Sequence, residues 1–407
     1  MTRLRALKRA VRLRTRLVDA RNWLLLRRHD WHVNRRWRGE AKRFLVVRHA
    51  GKSPGFYDVI LHWVEEHVPE VRGLFELRLL PCWIFDWSSY ALHVPWLQDP
   101  VENWSRRAYA QACRLAAACD RRSIPVINRV DRLSNATKFD AASRLSRAGI
   151  RTPVMRVIGD HREFRETRCG LALPLFVRED AGHGGPMLRA DTERELRAIA
   201  LERFRRPIAV ELVDVRSPED GLFRKFRYLV AGRVGVPHHM QATQDWITRG
   251  DIRFHNETTR SQEEFYFSRP DPYHEVFQRA RTCLGLDFVA FDYGFDRRGE
   301  LIIWDANPYP HFHIPKGRLS YLKPAMHRTL AAVVHLYVER AEMAIPQRLR
   351  DILFTSPGAS CPVTEDTGAD RRGIEAAMTT GSPNGADPER APRPCPAPPR
   401  RAAETAG

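Results

Sequence analysis

Two aspartates and an asparagine near residue 300 carry the sharpest chemical signal in the sequence. Asp292 lies in a β-favouring run, 287–293, and Asp305 and Asn307 lie in a second run, 301–307. Asp296-Arg297-Arg298-Gly299 between them reads as a turn, and Pro308 stops the second run. Folded as a hairpin, the runs put Asp292 across from residues 303–305. Asp305 and Asn307, two apart on one strand, point to one face. Carboxylates placed so closely repel unless a cation sits between them. An all-oxygen trio suits Mg2+ or Mn2+, with phosphate oxygens and water completing the shell. Taken alone, the pattern also fits carboxylates that face solvent at a hairpin end.

Other segments must position this trio. Residues 180–186, Asp-Ala-Gly-His-Gly-Gly-Pro, follow an apolar strand over 175–178. A glycine-rich turn there lets backbone N–H groups come close to phosphates. A strand is expected over 207–213. Lys138 falls early in a helix from about 135 to 148 that Gly149 closes. Upstream, the pattern predicts a strand at 44–47, a loop at 51–55, helices at 58–67 and 102–121, and a strand at 123–128. That alternation indicates a small α/β layer. Trp83, Trp87, Trp96 and Trp104 read as core and loop anchors, with a base-stacking platform as the alternative. His183 is a candidate phosphate neighbour, whereas His238, His239, His311 and His313 read as polar surface residues.

Over about residues 124–310 the order of these pieces resembles the ATP-grasp superfamily of carboxylate–amine ligases. The resemblance rests on Asn128, Lys138 and Gly149-Ile150-Arg151-Thr152-Pro153. It continues through Arg178, a glycine loop of Gly182, Gly184 and Gly185, and Glu211-Leu212-Val213. It ends with Arg227 in the run 227–232, Arg253 to Asn256, and Asp292, Gly299, Asp305, Asn307 and Pro308. It implies an ATP-grasp fold, mixed α/β and α+β, in which two α+β subdomains clasp ATP behind a small α/β pre-ATP-grasp domain. The implied boundaries are a basic arm at 1–43, the pre-ATP-grasp domain at 44–130, the small subdomain at 131–206 and the large one at 207–350. It further implies that Lys138, Arg178, Gly184 and Gly185 bind phosphate. Glu211, Leu212 and Val213 would meet the adenine edge. The ribose acid is left among Asp214, Glu219 and Asp220, with Asp220 placed in the nucleotide set. Arg227 and Arg253 would steady the transferring phosphoryl group, and Asp292, Asp305 and Asn307 would hold Mg2+ or Mn2+. Two residues depart from the family pattern: Asp305 stands where Glu is usual, and Arg178 where Lys is usual. Arg keeps the charge but is not interchangeable with Lys.

Bulk properties frame this. The 407 residues carry a net charge of +18. Residues 1–43 hold fifteen Lys and Arg against three acids, a net of +12, which leaves the rest only +6. The folded body therefore gives little reason to expect a nucleic-acid partner. The arm reads as one or two basic amphipathic helices. Its options are an anionic membrane surface, phosphates of a nucleic acid, or a solvated helix or unstructured arm. Seven scattered cysteines without a CxxC pair signal neither zinc nor a disulfide framework and suit the cytoplasm, with a peripheral membrane contact open. No apolar run of membrane-spanning length occurs, and no secretory leader pattern is present. Nine of the 28 prolines lie in 357–407, so the tail 356–407 is expected to be disordered.

The resemblance implies an ATP- and Mg2+-dependent ligase. A small-molecule or peptide carboxylate would join an amine or thiol through an acylphosphate. An ATP-grasp kinase and a non-catalytic nucleotide-binding protein at an anionic surface are the alternatives.

Overall fold

The apolar run at the start of the folded body forms the middle of a three-stranded sheet. Strand β1 (Arg43–Arg48) pairs in parallel with β2 (Phe75–Leu79) on one side and β3 (Tyr90–Pro95) on the other. A central parallel strand is covered on both faces, so it reads as continuous apolar sequence rather than an alternation. Phe44, Leu45, Val46 and Val47 are accordingly all fully buried. The computed structural model describes residues 21, 23–35, 41–50, 56–97, 100–180, 185–248, 252–355 and 358. These belong to the first of two units, Met1–Ala369; the second, Asp370–Gly407, lies outside the described residues. So do most of the basic arm, the loop 51–55, Gly182 to Gly184, and the tail apart from residue 358.

Three sequence expectations need correction here. The helix expected over 102–121 is interrupted: Val101–Trp104 ends at Ser105, whose hydroxyl then caps Arg106–Asp120 by accepting from the Ala108 N–H at 3.1 Å. No strand forms over 123–128, where Val126 makes only an isolated bridge to His93. Pro125 lacks an N–H, and Ser123 and Asn128 adopt φ of 55° and 52°, outside the strand region. The helix expected from 135 begins at Lys138, because Thr137 is extended (φ −63°, ψ 157°) after a 3-10 turn, Val130–Ala136. Its end agrees with expectation: Gly149 takes φ +71° just beyond it.

Two four-stranded antiparallel sheets follow. The first contains β4 (Met155–Val157), β5 (Leu175–Glu179), β6 (Met187–Ala190) and β7 (Pro207–Glu211), in the order β4-β7-β5-β6. Alternation sorts its side chains. Leu175, Val177 and Ala209 join the core that holds Phe164, Leu196 and Leu201. Ile208, Val210 and Phe176 face the helix Lys138–Arg147 through Ala142 and Phe139. The second sheet contains β8 (Phe223–Ala231), β9 (Val234–Thr243), β10 (Phe288–Phe295) and β11 (Leu301–Asn307), in the order β11-β10-β8-β9. Phe226, Tyr228, Phe291 and Tyr293 make its apolar side and pack against the rings of Tyr266 and Phe277. A small α/β unit followed by two antiparallel α+β sheets is the architecture expected of this sequence. The helix Lys323–Arg340 is buried nearly all round and carries Tyr337 against Phe44 and Phe75 of the first sheet.

Asn128 ties the first unit to the β10–β11 hairpin. Its amide donates to the carbonyls of Phe288 (2.8 Å) and Pro308 (3.0 Å) and accepts from the N–H groups of Asp287 (2.8 Å) and Phe288 (3.1 Å). All four bonding positions of a fully buried amide are thus used. Around this joint Trp96 stacks on Phe288 and meets Tyr309 edge-on, and the Tyr309 hydroxyl donates to the Pro95 carbonyl at 2.6 Å. Substituting Asn128→Asp keeps the volume but sets a carboxylate oxygen against two carbonyls. The expected cost is about 3 kcal/mol, read as a lower urea midpoint at unchanged slope. A loss within ~0.5 kcal/mol would show that the clamp contributes little.

Candidate functional site

Asp292 and Asp305 are direct cross-strand partners in the β10–β11 ladder. The register slips by one residue between Asp292 and Tyr293, which leaves Trp304 unpaired on β11. Gly294 makes room for it: a Cβ there would lie 2.6 Å from the Trp304 ring. Asn307 follows two residues after Asp305, buried, its side-chain oxygen accepting from the Tyr309 N–H at 3.1 Å. Cross-strand partners share a face. The row therefore runs over four strands, from Asp305 through Asp292 and Arg227 to His239.

Each carboxylate meets cations. Arg227 grips Asp292 through two bonds, Nε at 2.6 Å and Nη2 at 2.9 Å, and Lys225 Nζ lies 3.3 Å from the same group. Burial opposes ionisation of Asp292, but Arg227 and Lys225 outweigh it and hold the carboxyl well below the usual range. Lys138, itself buried, forms an ion pair with Asp305. The seam between its helix and β11, lined by Ala141, Leu145 and Trp304, leaves only about 10 Å3. Among the described residues three cations, Lys138, Lys225 and Arg227, thus pair with two carboxylates, a surplus of one positive charge that suits an anion.

Backbone contacts bring these elements together. The N-terminus of the Lys138 helix meets Asp180: the Phe139 N–H donates to its carboxylate at 2.9 Å and the Lys138 N–H to its carbonyl at 3.0 Å. The glycine-rich segment therefore starts beside Lys138. Of its candidates, Gly185 is exposed, and His183 and Gly184 lie outside the described residues. Arg178 is two residues after Phe176 on β5 and so shares the face turned to that helix. Phe176 also contacts Trp246, in the segment after β9, at 5.2 Å between ring centres. The segment 149–153 borders β11, with the Ile303 N–H donating to the Arg151 carbonyl at 3.1 Å. Arg151 also grips Asp296 at 2.6 Å, on the hairpin turn.

The remaining candidates have other partners in this structure. The strand expected over 207–213 stops at Glu211, whose carboxylate accepts from the Val154 N–H at 2.9 Å. The Leu212 N–H donates to the Pro174 carbonyl at 3.3 Å, and Val213 is half-buried beyond it. Asp220 is exposed and holds Arg224. Arg253 pairs with the buried Glu263 and donates to the Tyr321 hydroxyl at 3.0 Å. Asn256 caps the helix Glu257–Phe267 by accepting from the Thr259 N–H at 2.8 Å. Arg253 also donates to the Met240 carbonyl of β9 at 3.2 Å, and Glu263 accepts from the Met240 N–H at 3.0 Å, so this pair fixes that edge strand.

Two signals were missed in the sequence. Strand alternation from Arg227 would have put Lys225 on the same face. His238 and His239, expected at the surface, are instead drawn inward. The register slip between Arg227 and Tyr228 makes His238 an extra residue, so both rings turn in. His238 is bonded to the Thr329 hydroxyl at 2.8 Å, and His239 stands opposite Arg227. Burial, with Arg227 adding, pulls His238 down to about 3 and His239 well below the ordinary imidazole range, so both are neutral.

For a divalent ion, the fit rests on chemistry. Among the described residues no three of His, Cys, Asp and Glu gather around one point. The donors at the hairpin are two carboxylates and the Asn307 oxygen, which suits a hard cation completed by ligands from elsewhere. A cavity of about 710 Å3, bordered by Ile124, Arg233, Arg281 and Arg340, shares no residue with this face.

No family model matches the chain, and no curated protein matches it in sequence. Solved structures do resemble it. They include the VanG D-Ala:D-Ser ligase from Enterococcus faecalis, at 14% identity and a TM-score of 0.47 over 74% of this chain and 100% of that one. A D-alanine–D-alanine ligase from Bacillus anthracis complexed with ATP matches at 11% identity and a TM-score of 0.47, over 75% and 100% of the two chains. The ATP-grasp ligase PsnB, complexed with a precursor variant, Mg and ADP, matches at 13% and 0.44, over 73% and 99%. At such identities and scores the reading of the site rests on this chain's own residues.

Replacing Arg227 by Met removes both guanidinium bonds and leaves the buried Asp292 with Lys225 as its remaining cation, and a loss of about 3 kcal/mol in urea unfolding is expected. Asp220→Asn, in an exposed pair, should change stability by less than ~1 kcal/mol. Equal effects from the two substitutions would contradict this account of the row.

Proposed function

We propose that the chain is an ATP- and Mg2+-dependent ligase of the ATP-grasp type, joining a carboxylate to an amine or thiol in the cytoplasm. The observation that carries this reading is the direct opposition of Asp292 and Asp305, with Asn307 beside them and Lys138, Lys225 and Arg227 around them.

In this reading Asp292, Asp305 and Asn307 hold one or two Mg2+ ions, which neutralise phosphate charge when bound. Asp305 has a shorter arm than the usual Glu, and the cross-strand pairing offsets this by setting it directly against Asp292. Lys138 exchanges its contact with Asp305 for a phosphate oxygen. Arg178 and the glycine segment from Asp180 through Gly184 and Gly185 cradle the phosphates from the facing sheet. The adenine edge meets the chain as it leaves β7 past Glu211, at Leu212 and Val213, and Asp220 is the acid offered to the ribose. Arg227 and Lys225 steady charge on the γ-phosphoryl group as it transfers. Arg253 supports the edge of the cleft through Glu263 and Tyr321.

The chemistry balances in two steps. A carboxylate oxygen of the acid attacks the γ-phosphorus, the bond to the bridging oxygen breaks, and ADP leaves, giving an acylphosphate. The amine nitrogen or thiol sulfur then attacks the acyl carbon, phosphate leaves with the bonding electrons, and the nucleophile gives up its proton. The acid and the amine are small molecules or peptide termini.

The test is ADP release over a panel of acid–amine pairs with Mg2+. Stimulation by one pair, with amide and phosphate formed in equal amounts to ADP, is expected. Asp305→Asn should lower that turnover at least ~100-fold. A stable phosphorylated acid or alcohol as the end product would make the enzyme a kinase. Undiminished turnover in the variant would remove the metal assignment.

A further inference from the structure

Exposed apolar side chains gather in one region, far along the chain from the row of acids. Among the described residues nine large apolar side chains are exposed, and Leu24, Leu25, Trp31, Trp83 and Phe85 are five of them. Phe85 is 97% exposed. Residues 23–34 are helical. One stripe of that helix faces the body: Asp30 and Val33 are buried, and Asp30 pairs with Arg48 at the end of β1. Asn34 donates to the Leu77 carbonyl (3.0 Å) and accepts from the Leu77 N–H (2.8 Å), so it closes the open edge of β2.

The opposite stripe, at spacings of three and four, holds Leu24, Arg27, Arg28, Trp31 and Arg35, all exposed. It carries three arginines and no acid. Arg35 lies over the Trp31 ring at 4.6 Å, and Arg27 over Trp23 at 4.9 Å. The loop after β2 adds Trp83 and Phe85, which border one groove of about 300 Å3 together with Trp23, Arg27 and Trp31. The acid on that loop, Asp86, is turned back onto Ser88 and Ser89, whose hydroxyls donate to it at 2.5 and 2.6 Å.

From this arrangement we infer that the 23–35 helix and the 83–85 loop form one docking face for an anionic lipid surface. Arginines meet phosphate headgroups, Trp31 and Trp83 sit at headgroup level, and Leu24, Leu25 and Phe85 enter the acyl boundary. No helix among the described residues is long and apolar enough to cross a membrane, so the face lies on the surface. The charge of residues 1–43, a net of +12, has the matching sign and lies in the same stretch of chain. Arginine and tryptophan also serve nucleic acids, but the exposed Phe85, Leu24 and Leu25 suit hydrocarbon better than stacked bases. The inference does not depend on the ligase reading.

The experiment is vesicle co-sedimentation of the full chain, with neutral phosphatidylcholine and with about one-third phosphatidylglycerol, at about 0.1 M salt. Binding should be at least ~10-fold tighter to the anionic vesicles. The double variant Trp83→Ser, Phe85→Ser leaves every charge of the arm in place. It should weaken binding ~10-fold or more, with its helix content unchanged by circular dichroism. Arg27→Glu with Arg28→Glu should weaken it similarly. Wild-type binding by the aromatic double variant would overturn the proposal. So would absence of vesicle binding, including the case in which the chain takes up single-stranded RNA instead.

Discussion

Asp292 and Asp305 face each other across one pair of strands, and much of the molecule answers the repulsion between them. At roughly 5 Å and an effective dielectric near 20, two such charges repel by about 3 kcal/mol. Arg227 and Lys225 from β8 and Lys138 from a separate helix offset that cost. The compensation comes from side chains that can also bind phosphate. Under the proposed function, a divalent cation would take the place of the bases at the acids, and a phosphate chain the place of the acids at the bases. Under the proposed function, this exchange accounts for the surplus of positive over negative groups among the described residues of the site.

The row keeps its geometry because several joints converge on the hairpin. Asn128 holds the start of β10 and the residue after β11 in one amide. Arg151 borders β11 through its carbonyl and grips the hairpin turn through its side chain. Asp180 fixes the Lys138 helix and begins the glycine-rich segment at the same point. Arg151 and Asp180 therefore tie the part of the chain that carries Arg178 to the hairpin and to the Lys138 helix, while Asn128 ties the first unit to the hairpin.

Local rules made much of this legible. Residues 301–307 announce β11 by composition, and Gly149 announces a helix end, because each depends on neighbours in sequence. The hairpin was readable from the turn between the runs and put Asp292 across from residues 303–305, but the register slip that sets it against Asp305 rather than Trp304 was not. What was not legible depends on tertiary context. The slip in register that turns His238 and His239 inward leaves no mark on composition, and both histidines looked like surface residues. The 123–128 run has strand-like residues, yet Pro125 and two left-handed residues spoil its ladder. Arg253 and Asn256 matched a functional motif, while their contacts here are with Glu263, Tyr321 and a helix N-terminus. Only the positions of Glu263 and Tyr321, distant in sequence, reveal that use.

We propose above that Asp292, Asp305 and Asn307 hold the metal of a metal–nucleotide complex. Crystals grown with Mn2+ and a non-hydrolysable ATP analogue test it most directly. An anomalous peak about 2 Å from oxygens of these side chains, with phosphates beside Lys138, is the predicted result. Nucleotide bound without a peak there, or lodged in the cavity bordered by Arg233 and Arg281, would contradict it.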